Sequence, residues 1–190
     1  MFNWLSNKVE QWARPANDAS FALYQTVATA ARNGDFYQRF SVDDGLDGRF
    51  DTLTLNAVLV VRRLSAIPNN AGEERAQGLI DTMFADLDLG LHEIGVSENK
   101  VGNKVKTMAK AYLGRMTAYD TSIAANDRAA LALALERNLY RDNGENALEN
   151  GLVDAVLAAD QALSCIADTD LDAATVGEAL SHLSSPRVDG

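Results

Sequence analysis

Two histidines and one cysteine limit what chemistry this chain can do. His92-Glu93 begins like the helical His-Glu-x-x-His signature of zinc hydrolases, but Ile94-Gly95-Val96 follows and supplies no second histidine. His182 lies far away in sequence, so a histidine metal centre is not predicted. The run Asp43-Asp44-Gly45-Leu46-Asp47-Gly48 looks like a calcium loop until its register is tested. With Asp43 in the first position, Gly45 falls in the third and Thr54 in the twelfth, where a bidentate glutamate is needed. Asp86 and Asp88 sit two apart, a spacing that puts them on different faces of a helix, so they cannot act as a carboxylate pair. No Gly-x-Ser-x-Gly elbow and no phosphate-cradling glycine loop occurs. Cys165 rules out an intrachain disulfide, and its place between Leu163 and Ile166 reads as a buried small hydrophobe rather than a reactive thiol. No catalytic residue, metal ligand or cofactor is expected.

Two charged features remain. Arg49 follows Asp47-Gly48 at a loop-to-helix junction, where a cation opposes the positive end of the helix dipole. Such a residue calls for a compensating partner, either an internal carboxylate or a ligand protein. Asp51, next in the same turn, suits that end of the dipole. The second feature is the stretch 100–115, which holds Lys100, Lys104, Lys106, Lys110 and Arg115 and no acid, in a chain of net charge −10. It reads either as a solvated helix face or as a docking strip for an anionic partner: acidic protein, ribosomal RNA or lipid headgroups. The overall negative charge argues against a surface that binds DNA.

The elements that must position these residues are helical. Only three prolines interrupt 190 residues, hydrophobic residues make up 47%, and no period-2 alternation marks a strand. Helices are predicted over 18–32, 49–66, 73–94, 98–123, from a cap at Asn126 through Leu139, 145–167 and 172–183, with a short turn carrying Phe36, Tyr37 and Phe40 and a loop over 41–48. In the third of these, Ile80, Met83, Phe84, Leu87, Leu91 and Ile94 form one apolar stripe. The β-branched cluster Val58 to Val61 is assigned to helix on length and spacing. The expected fold is all-α, an irregular single-domain bundle of about seven to eight helices. Residues 1–16 read as an amphipathic helix with Trp4 and Trp12, docked on the core in preference to anchoring in a membrane. Residues 17–143 form the core, and 144–190 form a helical extension of lower stability with a disordered tail. No segment is apolar enough to span a bilayer, and the N-terminus does not resemble a secretory signal.

The landmarks, in order, are Leu23-Tyr24, Ala31-Arg32, Phe36-Tyr37, Asp47-Gly48-Arg49-Phe50-Asp51, Leu59 through Leu64, Phe84-Ala85-Asp86-Leu87-Asp88, Glu93-Ile94-Gly95-Val96, and Lys104 through Tyr112-Leu113-Gly114-Arg115 to Tyr119-Asp120. Over about residues 20 to 142 they resemble the ubiquinol–cytochrome c chaperone family. The family pattern reads Phe-Tyr-Gly-Arg where this chain has Tyr112-Leu113-Gly114-Arg115, and often has a histidine at the place of Asn56.

The resemblance implies an all-helical, non-enzymatic assembly chaperone for the ubiquinol–cytochrome c reductase complex, with newly made cytochrome b as its client. Further implied partners are the ribosome or the inner-membrane surface, and a small partner protein. The implied location is cytoplasmic, peripheral at the inner membrane. A client of this kind exposes apolar surface beside polar loop ends, so its binder needs aromatic anchors beside charges. Candidate contacts are Tyr37, Arg49, Phe50, Tyr112, Arg115 and Tyr119, with Lys104, Lys106 and Lys110 orienting the complex. The competing reading is a peripheral membrane enzyme of quinone or haem metabolism, which requires a ligand-sized cavity lined by His92 or by clustered acids.

Overall fold

Asn17 starts the first helix: its side chain accepts the Ser20 N–H at 2.8 Å, satisfying one donor that the helix cannot. The computed structural model describes residues 17–68, 70–141 and 146–184. Helix α1 spans Asp18–Ala31, α2 Gly34–Phe40, α3 Leu46–Ser65, α4 Asn70–Glu93 and α5 Glu98–Ala124. Helix α6, Arg128–Leu135, runs into a π-helical turn at Glu136–Tyr140, and α7 (Leu152–Cys165) and α8 (Ala173–Leu180) complete the set. No strand occurs among the described residues, so the expected all-α bundle is what the chain forms. No described helix is long and apolar enough to cross a membrane.

Helix α3 is the axis of the bundle. Every residue from Asp51 to Val61 is buried, because α1, α4, α5 and α7 all pack on it. The β-branched run at Val58, Val60 and Val61 is therefore helical by surroundings: burial on every side outweighs a small difference in intrinsic propensity. Two arginines at its end tie the neighbours down. Arg62 bonds the Asp120 carboxylate of α5 and, at 3.0 Å, Asp160 of α7. Arg63 is buried and reaches the Leu163 and Ile166 carbonyls at 3.1 and 2.6 Å, and Asp168 at 2.5 Å.

The turn expected around Phe36 is a two-turn helix, α2. Asn33 caps it and its three aromatic rings are buried. The predicted loop 41–48 ends three residues early, with Gly45 as the N-cap of α3. Glycine is obligatory at Gly48, where a Cβ would lie 1.8 Å from the Asp43 carbonyl oxygen. The cap of α6 is Asp127, which accepts the Ala130 N–H at 2.9 Å, while Asn126 takes a positive φ of 50° in the preceding turn.

Three other expectations need correction. Cys165 is exposed: it ends α7, and the inward position of that turn belongs to Leu163. The helix predicted from 145 begins at Leu152, after turns in which Asn146 and Asn150 accept backbone N–H groups. Helices α7 and α8 are not an appendage. Leu152, Val153, Val156, Ala159, Leu163 and Val176 are completely buried in the same core, and α8 packs on α1. Small alanine-rich helices lie close to their neighbours, so few large side chains suffice to seal them. The predictions for residues 1–16, for 142–145 and for the tail from 185 lie outside the described residues.

Candidate client groove

The apolar stripe of α4 outlasts the core. Ile80, Met83 and Phe84 are fully covered, Leu87 is half-buried, and Ile94 is 62% exposed. Beyond Phe84 its stripe becomes one wall of an open groove. The first turn of α3 supplies the second wall with Leu46 and Phe50, and α5 supplies the third with Met108, Thr107 and Asn103. The groove has a volume of about 840 Å³. A hollow of about 200 Å³ shares Phe50, Leu87 and Met108 with it and reaches toward Tyr24 and Leu53.

Charges ring this apolar floor. Arg32, Arg49, Lys100 and Lys104 line it, as do Asp47, Asp86 and Glu93. Several of these are already engaged. Arg49 donates to Asp44 at 2.8 Å, the compensating carboxylate that its position called for, and that bond holds Asp44 below the usual carboxylate range. Asp86 accepts the Tyr24 hydroxyl; burial, reinforced by that bond, pushes the Tyr24 phenol well up. Asp47 is bound by Arg141 at 2.8 Å.

The sequence model of the ubiquinol-cytochrome C chaperone family matches residues 38–178. The chain belongs to that family. It is 23% identical over 121 residues to ubiquinol-cytochrome-c reductase complex assembly factor 1 of Xenopus laevis; the match takes in 64% of this chain and 60% of that protein's length. In three dimensions it is similar to the crystal structure of the Cbp3 homolog from Brucella abortus, with a TM-score of 0.72, 30% identity, and 94% of each chain covered. The family is one of chaperones, in agreement with the expectation of a protein-binding role and not a catalytic one.

Within this chaperone fold the sequence-selected residues separate into two groups. Arg49, Phe50 and Lys104 line the groove. Lys106 and Lys110 are exposed farther along α5. Tyr37, Tyr112 and Tyr119, by contrast, are buried, and no partner surface reaches them in this structure. The Tyr37 hydroxyl donates to the Ala31 carbonyl at 2.7 Å, which fastens α2 to the end of α1. Tyr119 accepts from Asn138 at 3.1 Å. Tyr112 meets Phe84 edge-on, centroids 5.9 Å apart. Aromatic residues at helical spacing beside cations look alike whether they face solvent or the core, and here the core took them.

Arg115 is also drawn inward. Its side chain is 15% exposed, pairs with Asp51 at 2.6 Å, and lies 5.5 Å from the centre of the Phe50 ring. Asp51 is itself 1% exposed and receives a second guanidinium, Arg141, at 3.0 Å. The groove wall at Phe50 is thus braced from behind by a buried ion cluster. Sequence inspection assigned Asp51 to the helix dipole and missed this role; its partners lie on α5 and just past α6.

Groove residues not among the candidate contacts are Leu46, Leu87, Leu91, Ile94 and Met108, with Lys100 from the lysine strip. For Leu87, Leu91 and Ile94 the signal was present in the α4 stripe, but a stripe does not say where the core ends. His92 pairs with Asp88 at 3.6 Å and does not line the groove, and no cluster able to hold a metal occurs among the described residues.

Two substitutions probe this region. The Tyr112 hydroxyl is buried with no hydrogen-bond partner among the described residues, and burial pushes its phenol far up. Tyr112→Phe removes the orphaned group and is expected to raise stability by about 1 kcal/mol, read as a higher urea midpoint. Gly90 lies inside α4 on the groove, and a Cβ there meets nothing within 4 Å. Gly90→Ala should therefore stabilise the helix by about 0.8–1 kcal/mol, measured as a rise in thermal midpoint.

Proposed function

We propose that this protein is an assembly chaperone of the ubiquinol–cytochrome c reductase complex that holds newly made cytochrome b in the groove between α3, α4 and α5. The observation that carries the reading is the groove itself. In a member of this chaperone family, an apolar floor of Phe50, Leu87 and Met108 lies open inside a ring of charges. A membrane subunit awaiting assembly presents apolar faces that would otherwise associate with one another, and covering them temporarily is a matter of apolar area and reversible polar contacts. The Xenopus relative is an assembly factor of the ubiquinol-cytochrome-c reductase complex, which supports the same complex as the target.

Arg49, Phe50 and Lys104 are the direct contacts in this reading. Arg115 and the buried tyrosines set the shape of the wall. Lys106 and Lys110, exposed beyond the groove on α5, turn the chaperone toward the anionic face of the inner membrane.

The test uses the full chain, affinity-tagged and expressed in its native host. Cytochrome b should co-purify from solubilised membranes, and a strain lacking the gene should hold less assembled reductase. Absence of cytochrome b from the eluate, with normal reductase in the deletion strain, overturns the proposal.

A further inference from the structure

We infer that the groove takes its client as an α-helix bearing a carboxylate, seated close over Gly90. This rests on the client-holding role proposed above and adds the form and charge of the bound segment.

The form follows from the walls. All three are helices, so the groove has no strand edge to pair with a guest. An extended chain laid over Leu87, Leu91 and Ile94 would bury its own backbone polar groups without partners. A helix arrives with those groups already satisfied.

Gly90 points the same way. Glycine inside a helix disfavours that helix; an internal contact explains some of these positions, whereas Gly34, Gly90, Gly102 and Gly114 have none, and of these four only Gly90 lines the groove. A Cβ at Gly72 would lie 2.2 Å from the Leu64 carbonyl oxygen, and one at Gly78 would lie 2.2 Å from the Ser20 hydroxyl. At Gly90 nothing in the protein stands within 4 Å, yet the position opens onto the groove between Leu87 and Leu91. The missing side chain keeps the α4 wall low where a guest backbone can come near.

The charge follows from what remains unpaired. Arg32, Lys100 and Lys104 line the groove and form no ion pair among the described residues. Of the lining carboxylates, Asp47 is held by Arg141, while Asp86, which accepts from the neutral Tyr24 hydroxyl, and Glu93 keep their charges, so three unpaired cations face two carboxylates. Lys100 and Lys104 stand one helical turn apart on the same face of α5. The α5 wall of the groove is therefore cationic, and it complements an acidic side chain on the guest.

A photoreactive residue at Thr107, exposed on the α5 wall, tests this in the full chain in its native host, with crosslinks mapped by mass spectrometry. The expected product joins Thr107 to a segment of cytochrome b that has helical periodicity and contains Asp or Glu. The K100E/K104E double variant and Gly90→Phe should each cut its yield about tenfold. Circular dichroism confirms that each variant is folded. Crosslinks to an acid-free or extended segment, or an undiminished yield from K100E/K104E, overturn the inference. If cytochrome b co-purifies but never crosslinks from Thr107, the inference fails and the chaperone role stands. If cytochrome b does not co-purify at all, both fail.

Discussion

Alanine in place of Asp51 is expected to destabilise the fold by about 3–5 kcal/mol, the cost of stripping the counter-charge from a buried ion cluster. Asp51 is 1% exposed, and the Arg115 guanidinium beside it is nearly as sheltered. Without the carboxylate, Arg115 keeps its desolvation penalty and loses its anion. Arg141 is half exposed and can turn to water, so most of the loss comes from Arg115. A shift of the urea midpoint with unchanged slope is the expected reading. Replacing Asp51 and Arg115 together by leucine and methionine should cost less than the single change, because no buried charge is then left behind.

The same carboxyl has a pH signature opposite to that of a surface aspartate. Burial pushes Asp51 above its ordinary value of 3.8, and Arg115 and Arg141 offset only part of that. A group whose value is raised on folding contributes most below the unfolded value, and the contribution is lost as pH climbs through the folded one. Stability of the natural protein relative to Asp51→Asn should therefore fall as pH rises from about 3 into the raised range, then level off. Urea denaturation at a series of pH values checks the sign. A difference that grows with pH over that window refutes the assignment.

The second large effect is expected at Arg63. Its guanidinium is 9% exposed and binds two carbonyls at the end of α7 and the Asp168 carboxylate. A cation there satisfies acceptors that the helix cannot, and it complements the negative end of the α7 dipole. Bonds from a charged donor in a sheltered site are worth about 1.5–3 kcal/mol each, whereas the half-exposed Asp168 adds little after screening. Arg63→Ala is expected to cost roughly 3 kcal/mol in all. Faster amide exchange at 163–172, with α1 and α4 unaffected, distinguishes local release of α7 from general loss of the fold. Arg63→Lys should recover only part, since one ammonium cannot span three acceptors.

Both predictions concern residues inside the blocks that carry the family resemblance, and both residues do structural work. The aromatic-and-cation pattern of Tyr112, Arg115 and Tyr119 suggested a gripping surface, but the two tyrosines are sealed and Arg115 is turned to Asp51. Arg49 fared better. A cation in a first helical turn required a local partner, and Asp44, five residues earlier, supplies it. The difference lies in range: Arg49 and Asp44 are neighbours along the chain, whereas Arg115 and Asp51 are brought together by the packing of α3 on α5.

The sequence by itself determined that the chain is helical, where most helices begin and end, and which family it resembles. The helices follow from the spacing of apolar residues within one or two turns. Only the tertiary structure decided which apolar stripes close on the core and which run past it. The α4 stripe is one pattern from Ile80 to Ile94, yet its first half is core and its end is groove wall. Periodicity records which side chains share a face; whether that face is covered depends on where the neighbouring helices stop, and residues far away in the chain set that.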